Sequence, residues 1–145
     1  MSIRLVLDPN QNAFGSDKIG IPNRPVAAEL LEKSGNQIEI RWYNTGEEQY
    51  HTKLMLVDYQ DRVTINNGSA NFTKRNLDDL NLETNLEIKA PSEREVAQQV
   101  RQYFERIWTN EGAEFTLDYS AYKDETVRLK RALYALQNWL GLTTF

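Results

Sequence analysis

The chain has 145 residues, a formal net charge of −4 and a single histidine, and it contains no cysteine. Its length and its 40% hydrophobic content are typical of an ordinary globular protein, and we expect residues 1–145 to form one domain. The missing cysteines argue against a disulfide framework and, together with the single histidine, against a zinc site. The acidic balance argues against broad nucleic-acid binding, which usually requires a basic face.

No segment of the sequence is long and apolar enough to cross a bilayer. The first residues also lack the basic and apolar regions of a signal peptide. We therefore expect no transmembrane segment. We expect a soluble protein whose compartment stays open, because export and peripheral membrane association both fit this composition.

The first third of the chain predicts a strand–helix–strand unit. Residues 3–7 (IRLVL) are apolar and partly β-branched, which is typical of a buried strand. A loop rich in Asp, Asn, Gly and Pro follows at 8–23, and a helix at 24–35 has a proline in its first turn and a glycine at its end. Residues 37–43 alternate as a strand does. Two strands joined by a helix predict parallel pairing.

Three more strands are predicted in the middle of the chain. They lie at residues 50–58, at residues 62–66 and in the last part of 82–90, and each is bounded by polar or turn-forming residues. Combined with the strand–helix–strand unit, they predict an α/β fold. We expect a mixed, largely parallel β-sheet flanked by helices.

Two helices are predicted in the second half of the chain. The first follows residue 91, where Ser92 and Glu95 match a capping box and apolar residues recur at helical spacing. The second runs from about residue 124 to 140, and a glycine follows it as a stop signal. Its leucines fall on one face (Leu129, Leu133, Leu136 and Leu140).

The stretch YHTKLMLVD (50–58) carries the only histidine of the chain. In a strand, residues two apart share a face, so His51 and Lys53 are expected to project together. Leu54 and Leu56 then point the other way, into the core. An imidazole beside an ammonium group suits an anion. The alternative is an ordinary, partly exposed His and Lys at a strand end.

A second polar motif follows in NNGSANFT (66–73). Gly68 permits a tight turn, and Ser69 and Asn71 offer hydrogen-bonding groups that suit phosphate oxygens. The alternative is a plain turn in which Ser and Asn cap the local backbone.

Together the two motifs resemble the HKD signature of the phospholipase D superfamily: His-x-Lys, four residues, Asp, and then Gly-Ser and Asn. The matching residues are His51, Lys53, Asp58, Gly68, Ser69 and Asn71. The nine residues between Asp58 and Gly68 are about three more than is common in the family, and we expect a longer hairpin to absorb them. Nearly the whole chain is similar to the C-terminal half of a two-motif bacterial phospholipase D-like protein.

The resemblance implies metal-independent phosphodiester chemistry without a cofactor. In the family, an imidazole attacks phosphorus to form a phosphohistidine, and a second histidine protonates the leaving group. Hydrolysis and transfer to an alcohol share this intermediate. The resemblance makes His51 the nucleophile and implies that Lys53 offsets the charge on the phosphoryl oxygens.

The remaining roles also follow from the resemblance. Ser69 and Asn71 are expected to donate to the substrate phosphate, and Asp58 is expected to organise the site, in one reading by pairing with a basic group. The family also has a glutamate that orients the catalytic histidine. Glu83 is its candidate here, with Glu87 as the alternative.

The chain supplies one histidine where the family mechanism needs two. Three hypotheses stay open: a homodimer that pairs two copies of His51, a half of a longer enzyme whose N-terminal repeat supplies the second HKD motif, and a non-catalytic phosphate-binding half-domain. The resemblance favours the second hypothesis. Phospholipid is the preferred substrate, and the alternative is nucleic acid cleaved by an endonuclease-like homodimer, which the acidic balance disfavours.

Overall fold

The computed structural model describes residues 2–13, 16–17, 20–46, 48–71, 82–122 and 126–139. The chain divides into two compact units. The first unit contains Met1–His51 and Ile107–Thr144, and the second contains Thr52–Arg106. Each unit has its own buried cluster of apolar side chains.

The first unit is built around a short mixed sheet. Its strands and helices are β1 (Ile3–Leu7), β2 (Asn12–Ala13), β3 (Ser16–Asp17), α1 (Asn23–Lys33), β4 (Ile38–Tyr43), and, after the second unit, β8 (Thr116–Asp118) and a 3₁₀ helix (Tyr119–Tyr122). Strand β4 lies in the centre, parallel to β1 and antiparallel to β8. The predicted strand–helix–strand unit and its parallel pairing are therefore confirmed.

The core of the first unit lies between this sheet and α1. Ala27, Ile40 and Trp42 are buried there. The indole N–H of Trp42 donates to the backbone carbonyl of Tyr119 at 2.9 Å, and the two rings stack with their centroids 5.8 Å apart. The largest buried side chain of this cluster thus has its polar atom satisfied, which a buried indole requires.

The second unit is an antiparallel sheet covered on one face by a helix. Its strands are β5 (Leu54–Asp58), β6 (Arg62–Gly68) and β7 (Asn85–Pro91), and the helix is α2 (Glu95–Thr109), whose last residues belong to the first unit. Val63, Ile65, Ala90 and Ala97 form its buried cluster. Because β5 and β6 are joined by three residues, they can pair only as an antiparallel hairpin.

The last helix, α3 (Val127–Trp139), belongs to the first unit. It lies within the predicted range of about 124 to 140, and residues 124 and 140 are outside the described residues. Arg131 donates to the Glu32 carboxylate of α1 at 2.7 Å. The leucine face points away from this contact: Leu129 is 63% exposed and Leu136 is 50% exposed.

Three expectations need correction. The expectation of a largely parallel sheet is wrong, because β1–β4 is the one parallel pair among the strands that the structure describes. The strand expected at 50–58 begins at Leu54, so His51 precedes it. Ser92 lies in a turn before α2, and its hydroxyl accepts a hydrogen bond from Arg101 instead of closing a capping box.

Candidate functional site

The β5–β6 hairpin determines the direction in which Lys53 projects. The backbone N–H of Gly68 donates to the carbonyl of Lys53 at 3.4 Å, one residue beyond the Leu54–Asn67 pair, so the ladder extends to Lys53. Side chains alternate along a strand. Lys53 therefore belongs to the face opposite Leu54, and Asp58, five residues further on, belongs to the same face as Leu54.

Gly68 ends β6 at a position where a larger residue does not fit. A Cβ atom at this position would collide with the side chain of Asn85 and with the backbone carbonyl of Thr84. The close approach of β7 thus explains the glycine of the Gly-Ser motif. It also places Ser69 directly against the residues that precede β7.

Ser69 is tied to Glu83 and Thr84. Its hydroxyl donates to the Glu83 carboxylate at 2.6 Å and accepts from the Thr84 N–H at 3.0 Å, while its own N–H donates to the Thr84 carbonyl at 3.0 Å. A hydroxyl has one proton to donate, and the Thr84 carbonyl is the poorer acceptor at 3.4 Å. The geometry therefore makes Ser69 a support for the Glu83 carboxylate.

Lys53 interacts electrostatically with the same carboxylate. Burial lowers the pKa of the Lys53 ammonium group, because desolvation disfavours its charge, and the negative charge of Glu83 acts in the opposite direction. Lys53, Ser69 and Glu83 thus form a polar cluster in the second unit. The other glutamate considered, Glu87, lies on β7 and pairs with Lys89 at 2.9 Å.

Asp58 is directed towards α2. Its two carboxylate oxygens accept from Nε and Nη2 of Arg101, each at 2.6 Å, and Arg101 also donates to the Ser92 carbonyl at 2.7 Å. This hydrogen-bonded guanidinium group lowers the pKa of Asp58. Asp58 therefore anchors the end of β5 to α2, on the sheet face opposite Lys53.

His51 is exposed. It is the last residue of the first segment of the first unit, and the second unit begins at the next residue. The preceding residue, Tyr50, is held twice. Its N–H donates to Oδ2 of Asp8 at 2.6 Å, and its ring stacks on Tyr43 with centroids 4.2 Å apart and planes 7° from parallel. Sequence reasoning missed Asp8 and Tyr43. Asp8 directly follows β1 and Tyr43 is the last residue of β4, and the carboxyl ends of these parallel strands meet at one sheet edge, which was a signal that could have found them.

The remaining candidate residue of the site is Asn71. Asn71 is half-buried and follows the Gly-Ser turn by two residues. Within the described ranges, no group of three or more His, Cys, Asp or Glu side chains could hold a metal ion. No helix in the described part of the chain is long and apolar enough to cross a membrane.

A comparison with known protein families identifies the family of the chain. Residues 1–108 match the model of a family described as "Cardiolipin synthase, PLD-like domain", and this range contains every residue of the candidate site. No curated protein matches the chain. Since the family model covers most of the sequence, the chain belongs to this PLD-like domain family of the phospholipase D superfamily.

Proposed function

We propose that the chain is a phospholipase D-type phosphodiesterase that acts through a phosphohistidine and supplies one half of a two-motif active site. The observation that carries the proposal is the 2.6 Å hydrogen bond from Ser69 to Glu83, with Lys53 electrostatically coupled to the same carboxylate. An imidazole nucleophile needs a cation that offsets the charge on the phosphoryl oxygens and a carboxylate that orients the ring. Lys53 and Glu83 supply these two groups. Family membership supports the assignment.

In the proposed reaction, a neutral His51 imidazole attacks the phosphorus of a phosphodiester. A P–N bond forms while the P–O bond to the leaving group breaks, and the leaving oxygen takes a proton from a second histidine. Water or an alcohol then attacks phosphorus and gives its proton to the second histidine, while the P–N bond breaks and the neutral imidazole of His51 is released. Because His51 is the only histidine here, the second one comes from another HKD motif.

The polar cluster of the second unit assists by electrostatics. Lys53 offsets the negative charge that develops on the phosphoryl oxygens, and Asn71 donates a hydrogen bond to them. Glu83 serves as the carboxylate that orients a catalytic imidazole, and the Ser69 hydroxyl holds this carboxylate in place. Asp58 acts through its pairing with Arg101, which holds the strand that follows Lys53.

We propose phospholipid as the substrate class. The matched family is described as cardiolipin synthase, and the net charge of −4 does not favour a polyanion such as nucleic acid. Parallel assays with phospholipid vesicles and with supercoiled plasmid at low salt test this choice. Cleavage of the plasmid without lipid turnover would contradict it.

The test of the mechanism is hydrolysis of an activated phosphodiester in excess EDTA by the wild-type chain, by His51→Ala and by Gln60→Ala. Gln60 is an exposed turn residue and serves as the matched control. We expect turnover to survive EDTA and the control substitution and to disappear in His51→Ala. A substrate labelled at phosphorus should leave a label on the chain that is stable to alkali and lost in mild acid, as a phosphohistidine is.

The same assay addresses the missing half. Turnover by the purified chain alone, together with a dimeric mass in light scattering, would mean that two copies assemble the site. Turnover that appears only when a separate N-terminal repeat is added would mean that this chain is one half of a longer enzyme. Activity that persists in His51→Ala would refute the proposed mechanism.

A further inference from the structure

Asp8 links the end of β1 to the residue next to His51. Its Oδ1 accepts from the Asn10 N–H and its Oδ2 accepts from the Tyr50 N–H, both at 2.6 Å. Hydrogen bonds to an ionised carboxylate are shorter and stronger than those between neutral groups. The second bond joins residues 42 positions apart in the sequence and therefore fixes the chain just before His51 to the sheet.

The loop that carries Asp8 is itself anchored to the start of α1. The Asp8 carbonyl accepts from Nδ2 of Asn23 at 2.9 Å, and the Asn23 N–H donates to Oδ1 of Asn10 at 2.9 Å. The buried Pro9 contributes its carbonyl, which accepts from Nε of Arg24 at 2.8 Å. The carboxylate thus projects from a loop that is held at three successive residues, by the backbone carbonyls of Asp8 and Pro9 and by the side chain of Asn10.

Tyr43 provides a second, independent restraint on Tyr50. It is the last residue of β4, and Asp8 directly follows β1, so both project from the edge where these parallel strands end. The rings of Tyr43 and Tyr50 stack in a nearly parallel arrangement with centroids 4.2 Å apart. Tyr50 is therefore restrained at its backbone by Asp8 and at its side chain by Tyr43.

We propose that Asp8 and Tyr43 are positioning residues for His51. By fixing Tyr50, they limit the orientations of the backbone from which the imidazole projects. This inference rests on the proposed function in one respect, namely that His51 is the nucleophile. An imidazole that samples fewer orientations spends more time in line for attack on phosphorus, so the restraint acts on kcat and much less on KM.

The test compares Asp8→Asn and Tyr43→Leu with two matched controls. A carboxamide has a single acceptor oxygen. In Asp8→Asn, the N–H of either Asn10 or Tyr50 therefore faces an NH₂ group and loses its acceptor. Asp118→Asn removes an exposed carboxylate of the same unit that pairs with Arg41, and Tyr59→Leu removes an exposed ring of the second unit.

The first readout requires no turnover. Because His51 is the only histidine, its imidazole ¹H and ¹⁵N resonances are assigned without ambiguity. We expect Asp8→Asn and Tyr43→Leu to change the tautomer ratio or the line width of this imidazole, and both controls to leave them unchanged. The second readout is kinetic, on the complete site: kcat should fall by about 10- to 100-fold with little change in KM.

The outcomes separate this inference from the proposed function. Unchanged imidazole resonances in Asp8→Asn and Tyr43→Leu would overturn the inference, even if both variants lose thermal stability. Perturbed resonances with a lower kcat would support it. If His51→Ala retains activity, the proposed function fails. Separately, perturbed imidazole resonances with an unchanged kcat in Asp8→Asn would overturn the positioning role.

Discussion

The two units of the chain hold their candidate functional groups in different ways. In the first unit, His51 is secured indirectly, because Asp8 and Tyr43 fix the residue before it at the carboxyl ends of two parallel strands. In the second unit, Lys53 is placed by the register of an antiparallel hairpin, and Glu83 by a direct side-chain bond from Ser69. The nucleophile candidate thus depends on a few contacts distant in sequence, and the charged groups depend on sheet register.

This difference predicts different responses to substitution. A change in hairpin register gives every side chain of the shifted strand new neighbours. A slip by one residue moves those side chains to the opposite face of the sheet. A lost contact to Tyr50 loosens one segment of the first unit and leaves the sheet intact. Substitutions that disturb the strand pairing of the second unit should therefore affect folding first, whereas those around Tyr50 should affect the imidazole first.

The largest effect is expected for Gly68→Ala. The added methyl group collides with Asn85 and with the Thr84 carbonyl, so β6 and β7 must move apart. We expect a loss of about 3 kcal/mol in the free energy of unfolding, as for other overpacked sites. Urea denaturation followed by circular dichroism measures this loss.

The matched control is Gly35→Ala in the first unit. Nothing lies near a Cβ atom at this position, but its φ of +61° disfavours any side chain. We expect a cost of about 1 kcal/mol from this backbone conformation alone. An equal or larger loss in Gly35→Ala than in Gly68→Ala would contradict the close-approach explanation of the Gly-Ser motif.

An intermediate effect on stability is expected for Asp58→Asn. The pairing with Arg101 lowers the pKa of Asp58 in the folded state below its unfolded value of about 3.9. The resulting stabilisation is fully present above the unfolded value and is lost as the pH falls through the folded value. Asp58→Asn should therefore lower the urea midpoint at pH 7 and have little effect near pH 2.

Asp61→Asn is the control for this pH dependence. Asp61 lies in the adjacent turn, and its contact with Arg62 is longer, at 3.4 Å, between two exposed side chains. Its substitution should change the midpoint much less at either pH. A constant difference between wild type and Asp58→Asn from pH 2 to pH 7 would exclude the ion pair as the source of stability.

The smallest effect on stability is expected for Glu83→Gln, which alters the site more than the sheet. The Glu83 carboxylate raises the pKa of Lys53 against the lowering by burial. Removing this charge should shift the titration of the Lys53 ammonium group to lower pH, as measured by NMR of its side chain. The alkaline limb of any phosphodiesterase activity should shift in the same direction.

Glu87→Gln provides a matched control on the same segment. Glu87 raises the pKa of Lys89 through a hydrogen bond and its charge. This substitution should therefore lower the pKa of Lys89 and leave that of Lys53 unchanged. If Glu87→Gln shifted the Lys53 titration as much as Glu83→Gln, the choice of Glu83 over Glu87 would be wrong.

Sequence patterns predicted most of the elements because those patterns are local. An apolar, β-branched run located β1 and apolar alternation located β4, while a first-turn proline and a terminal glycine located α1 and helical spacing located α2. The largely parallel sheet was predicted because the parallel pairing of the first strand–helix–strand unit was assumed for the later strands as well. Those strands pair antiparallel, and the connection between β5 and β6 is short. A three-residue link between β5 and β6 cannot span a parallel crossover, so the sequence already contained the correction.

The sequence by itself determined the family signature, since the spacing of His51, Lys53, Asp58 and the Gly-Ser turn is carried by adjacent segments. Only the tertiary structure decided what holds these groups. Asp8 meets Tyr50 across 42 positions and Asp58 meets Arg101 across 43, and no local pattern reports a contact at that separation. Such partners are chosen by which strand ends and helix faces pack together, and packing of this kind exists only once the whole chain has folded.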